Sequence, residues 1–254
     1  MRHFTRAVKL TAIPVVAAAG IGIGVVTLGG GAAGADDRQV LPTAPGGKAV
    51  AQKHVGRVPN TTGITGVLAY NTKGYPASGK PDHATLQHNH VHSAVKYSVI
   101  PPVGGPHSEK WMNAGTYTKP IPSERAVHNL EHGAVWITYS PDLSKTQVAA
   151  LRTFAHKQTV LPEGRLEKGG PVQGNRFIDL SPWRSDSLGA PIVISSWGYQ
   201  LKVQSASDPR LQKFVDTFRR NDRYSPESDA PVDGVDVSIG GRASSNGGTY
   251  PNPD

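Results

Sequence analysis

Seven of the chain's ten histidines fall within residues 83–132, at His83, His88, His90, His92, His107, His128 and His132. An even spread would put about two in that fifth of the sequence, so the clustering asks for a cause. Neutral imidazole offers a lone pair at neutral pH and is the commonest metal ligand. In "HNLEH", residues 128–132, His128 and His132 stand four apart, a spacing that points both rings the same way on a helix, with Glu131 on a neighbouring face. In "HNHVH", residues 88–92, an extended chain would put His88, His90 and His92 on one side. His107 closes the turn-forming run "PPVGGPH". A set of His92, His107, His128 and His132 would make a four-nitrogen metal site, with Glu131, Met112 and His90 as further candidate ligands. Met112 is the only methionine after Met1, and a thioether beside imidazoles suits copper(I). Nitrogen ligands suit copper and zinc alike, so the metal stays open between them. Two bland readings stay open too: His128 and His132 bonding only to helix-end carbonyls, and "HNHVH" as a solvated loop.

"HNLEH" also matches H-x-x-E-H, the pattern in which two histidines hold zinc and the glutamate activates water. That chemistry would make Glu131 the catalytic base of a zinc-dependent hydrolase. It requires a further acidic ligand from downstream, and Glu163, Glu167 and Asp179 sit in poor contexts for it. The helix would also be barely two turns long before a strand begins.

These side chains need elements to hold them. "SERAVHNLEH", 123–132, predicts a short helix with Ser123 as N-cap and Gly133 at its C-terminal side. "AVWITYS", 134–140, reads as a buried strand. "SAVKYSVI", 93–100, alternates as a strand and is ended by the prolines and glycines of 101–107. "DLSKTQVAALRTFAHKQ", 142–158, and "DPRLQKFVDTFRRN", 208–221, carry apolar residues at helical spacing. "RFIDLSP", 176–182, and "APIVISSWGYQLKV", 190–203, read as strands. The interleaving is too irregular for repeated βαβ units. It predicts an α+β two-layer domain over residues 65–235, with a mostly antiparallel sheet and two to three packed helices.

The chain has 254 residues, of which 37% are hydrophobic, with 29 glycines, 21 prolines and no cysteine. Disulfides, thiolate metal sites, cysteine nucleophiles and lipidation on cysteine are thereby excluded. Residues 1–35 hold Arg2, Arg6 and Lys9, then an uncharged run from Leu10 to Leu28, then Ala33 and Ala35 at small-x-small spacing. This is the pattern of a cleaved signal peptide, with an uncleaved membrane anchor as the alternative. Either one places the rest of the chain outside the cytoplasm, secreted or at the cell surface. Residues 36–64 read as a linker and 236–254 as a disordered tail. The leader takes three of the net +8 charges and leaves +5 for residues 36–254. Scattered lysines and arginines make a basic surface compatible with an anionic cell-envelope surface. No basic stripe or base-stacking motif points to nucleic acid.

Four blocks taken together resemble a known family. They are "HSAVKY" (92–97), "PPVGGPH" (101–107), "WMNAGTY" (111–117) and "VHNLEHGAVWITY" (127–139), with "SSWGYQL" and "SPES" further on. The chain resembles domain-of-unknown-function family 3105, an uncharacterised domain of exported or membrane-anchored bacterial proteins, many actinobacterial. The resemblance covers about residues 65–235. It implies importance for His92, His107, His128, Glu131 and His132, and no established activity. Relatives often carry cysteines where this chain has Ala114 and Val232; the joint absence of both implies a lost disulfide and therefore that these two residues are neighbours.

Three functions follow as expectations. The first is an exported, non-catalytic metal-binding domain for copper or zinc. The second is the zinc-dependent hydrolase using His128, Glu131 and His132. The third is a non-catalytic envelope binding module with structural histidines, which predicts Trp111, Tyr117 and Trp183 exposed on one face.

Overall fold

The computed structural model describes residues 41–72, 86–159, 177–228, 230–233 and 235, with 237–239 and 242–244. The expected signal peptide, His83, Glu163 and Glu167 lie outside the described residues. The strands in chain order are β1 (Val50–Ala51), β2 (Arg57–Val58), β3 (Leu68–Tyr70), β4 (Val95–Lys96), β5 (Val135–Tyr139), β6 (Ile178–Pro182), β7 (Ile192–Ser196), β8 (Tyr199–Val203), β9 (Val237–Ile239) and β10 (Arg242–Ser244). The helices are α1 (Ser123–Glu131), α2 (Lys145–Thr159) and α3 (Arg210–Phe218).

Six strands form one mixed sheet in the order β2-β3-β8-β7-β5-β6. Only the β5–β6 pair is parallel in that sheet. The α+β class with mostly antiparallel strands is as the sequence predicts. The segment 190–203 supplies two of these strands, β7 and β8, joined by a tight turn at Gly198, whose φ of 77° is the left-handed conformation open to glycine.

β5 shows how the layers arise. Every residue of Val135–Tyr139 is buried, and successive side chains face opposite sides of the sheet. Val135, Ile137 and Tyr139 join a core with Leu151 and Ala155 of α2 and Leu211, Phe214, Val215 and Phe218 of α3. Trp136 joins a second core with Ala126, Val127 and Leu130 of α1, and with Met112, Tyr117 and Trp197. The two layers expected therefore become three, because α1 and the long 86–122 segment cover the face opposite α2 and α3. Large aromatic residues make this possible: Trp111, Trp136 and Trp197 are all fully buried.

Other details depart from expectation. Ser123 is the first helical residue of α1 rather than its cap; Pro122 holds the N-cap position and no side-chain bond closes it. Proline suits a helix start because it has no N–H to leave unsatisfied. Only Val95–Lys96 of the expected strand 93–100 pairs, and it does so parallel to β1. β1 and β2 lie in the stretch expected as linker, where Gln52, Val55 and Ile64 are also buried. β9 and β10, in the stretch expected as tail, pair antiparallel. Among the described residues, no helix is long and apolar enough to cross a membrane.

Candidate metal centre

α1 packs its apolar stripe on the sheet and turns a second face toward the loops above it. His128 and Glu131, three positions apart, lie on that face. Two loop segments meet them there. One carries His90, the other His107, and the backbones are tied at that point: Val91 N–H donates to His107 O at 2.7 Å, and His107 N–H to Asn89 O at 3.1 Å.

The loop bearing His107 is braced from several sides. Gln52 donates from Nε2 to Gly104 O at 2.8 Å and accepts Ser98 N–H at Oε1 at 3.0 Å. Tyr97 hydroxyl donates to Pro106 O, Gln200 Nε2 to Pro101 O, and Gly198 N–H to Val103 O. Gly105 has φ of 121°, and a Cβ on it would lie 2.2 Å from Gln52 Nε2. Both the backbone conformation and the close approach of Gln52 thus require glycine there.

Ligand atoms of His90, His107, His128 and Glu131 all lie within 4.8 Å of one another. His107, His128 and Glu131 are buried and His90 is exposed. Both buried rings are oriented by backbone carbonyls. His107 Nδ1 is 2.8 Å from Gly105 O, and His128 Nδ1 is 2.7 Å from Ser108 O. A carbonyl can only accept, so each Nδ1 carries a proton, and in the neutral ring Nε2 keeps its lone pair. This is the arrangement that fixes metal-binding histidines from behind.

His107 Nε2 lies 2.8 Å from Glu131 Oε2, yet it has no hydrogen-bond partner. Glu131 Oε1, buried as well, also has none. A lone pair facing a buried carboxylate is repulsive, and the cost is of the order of several kcal/mol unless a cation sits between them. The donor set and the orphaned atoms therefore fit a metal ion.

The electrostatics favour the ligand forms. Burial, with His132 and His107 nearby, lowers the His128 pKa to about 2, so its ring stays neutral. Burial and then His107 lower that of His90. Glu227 is held below the usual carboxylate range, first by its hydrogen bond with His132 and in smaller part by His90 and His107.

The structure brings His90, His107, His128 and Glu131 together but leaves three candidates outside. A bend follows His90 and turns the 83% exposed His92 away, so that its Nδ1 lies 3.7 Å from Glu109. His132 ends α1 and stacks edge-on against His128 at 4.3 Å between centroids. Its nitrogens turn to the 225–232 segment, Nδ1 toward Pro231 O and Nε2 to 3.5 Å from Glu227. Four-residue spacing thus gives ring contact rather than a shared focus. Met112 is 1% exposed within the second core, its backbone N–H held by Asn129 Oδ1.

Sequence reasoning gave no role to Glu227, whose backbone N–H donates to Glu131 O at 3.0 Å; its only signal was the "SPES" block. Nor did it find Asp179 in place behind the site. This fully buried acid of β6 accepts from Asn129 Nδ2 at 2.8 Å and from Gly115 N–H at 3.2 Å. Burial pushes its pKa up to about 7 against those two bonds. Ala114 and Val232 are neighbours: Ala114 N–H donates to Val232 O at 2.6 Å, and both side chains join one small buried cluster.

Fold and site together define an α+β domain with an imidazole–carboxylate group between a short helix and two loops. The chain belongs to the family described as Protein of unknown function (DUF3105), whose model matches residues 88–234. No curated protein and no solved structure matches it.

Proposed function

We propose that this is an exported metal-binding domain of the bacterial cell envelope, non-catalytic, that holds one zinc or copper ion through His90, His107, His128 and Glu131. The observation that carries the reading is the close, unbonded approach of His107 Nε2 to Glu131 Oε2. Three imidazoles and a carboxylate suit zinc and copper(II). Met112 in the apolar core removes the reason for preferring copper(I). Glu131, aimed at the ion as a ligand, is not left to activate water, and His132 points elsewhere; both weigh against the hydrolase. Trp111, Tyr117 and Trp183 are buried, which removes the aromatic face that a polymer-binding module would use. Export rests on the leader in residues 1–35.

Elemental analysis of the purified chain tests the reading. One equivalent of zinc or copper is expected in the wild type and in His132→Ala, and a loss in His128→Ala and Glu131→Gln. A wild-type chain that binds neither metal removes it. Fractionation of the native host tests export, with a mature chain beginning at Asp36 expected outside the cytoplasm.

A further inference from the structure

The two oxygens of Glu131 face different imidazoles. Oε2 is 2.8 Å from His107 Nε2, within the buried group. Oε1 is 3.9 Å from His88 Nδ1. Metal–nitrogen and metal–oxygen bonds together reach about 4.1 Å, so one cation spans His88 and Oε1. His88 is 37% exposed, whereas Glu131 is 2% exposed and its Oε1 is buried, so the step from His88 to Oε1 runs from solvent to interior. His90, the exposed ligand of the buried group, lies two residues from His88, so residues 88–90 line the exposed edge of the site. Half-exposed Glu227, 3.5 Å from His132, adds negative charge near His90.

We infer that His88, at the exposed side, and Oε1 of Glu131 form a loading position, where a divalent cation is first captured before passing to His90, His107, His128 and Oε2. The inference rests on the metal-binding reading above. Transfer is a ligand exchange: the ion leaves His88 nitrogen and Oε1 as it gains Oε2 and the three imidazole nitrogens. The carboxylate need only rotate. Transfer changes only the ion's ligands and involves no change of oxidation state. His88 is thus a positioning residue for uptake and makes no bond to the resident ion.

The test is stopped-flow transfer of zinc from its complex with a chromophoric chelator to the full purified chain. His88→Ala should load about tenfold more slowly, a typical effect of removing electrostatic or ligand capture, with unchanged stoichiometry and equilibrium affinity. His88→Asn should behave the same way, and His92→Ala should load at the wild-type rate. Wild-type loading by His88→Ala overturns the inference. So does a loss of equilibrium binding as large as that of His128→Ala, which would make His88 a resident ligand. A wild-type chain that takes up no zinc overturns the metal-binding reading and this inference together.

Discussion

His107 Nε2 and Glu131 Oε2 lie 2.8 Å apart without a hydrogen bond between them, and both groups are buried. With Nδ1 donating to Gly105 O, the lone pair of a neutral His107 ring lies on Nε2, facing Glu131. A cation between the two turns repulsion into two bonds. If the folded chain binds the ion as proposed and the unfolded chain lacks the assembled site, the metal should stabilise the fold. At a free concentration a hundredfold above Kd the gain is about 2.7 kcal/mol, which for a domain of this size is about 5–10 °C in Tm. Calorimetry with and without zinc measures it; Glu131→Gln should abolish the shift.

Gly105 sets the position of His107, and Gly105→Ala should disturb both fold and site. The new methyl would meet Gln52 at 2.2 Å at a φ of 121°. A loss of about 1–3 kcal/mol in denaturant unfolding is expected, along with weaker zinc binding in calorimetric titration. Adding Gln52→Ala relieves the clash but leaves the backbone strain and removes the bonds of Gln52 to Gly104 O and Ser98, so the double variant should not regain wild-type stability.

Asp179 gives stability a pH dependence of identifiable sign. Its pKa is raised from 3.8 to about 7 on folding by burial. The folded state therefore holds a proton that the unfolded state has lost, and stability should fall as pH rises from about 4 through 7, then level off. The whole effect is of the order of 4 kcal/mol at most. Asp179→Asn removes the ionisation and one acceptor of the two bonds from Asn129 and Gly115. Urea midpoints between pH 5 and 8 should be flatter for this variant than for wild type; parallel profiles would refute the assignment.

Ala114 and Val232 are in contact, so the double variant Ala114→Cys, Val232→Cys should close a disulfide when oxidised. A stabilisation of about 2–4 kcal/mol is expected for a bridge closing so long a loop. Thiol titration under denaturing conditions checks closure, and two free thiols after oxidation would show the geometry unsuitable.

The sequence alone determined the fold class, because helical and strand spacing of apolar residues is a local property. It also determined that histidines and Glu131 crowd one region, because clustering is visible in one dimension. Tertiary structure decided which of them meet. His128 and His132 read as a pair by helical spacing, yet His132 turns to Pro231 and Glu227, a segment nearly a hundred residues away. His90 and His92 read as equivalents on an extended chain, until a bend after the His90–His107 bridge sends His92 outward. Asp179 was an ordinary strand residue until the sheet set it behind Asn129. Side-chain direction depends on the long-range partners each polar atom finds, and those partners come from packing rather than from spacing.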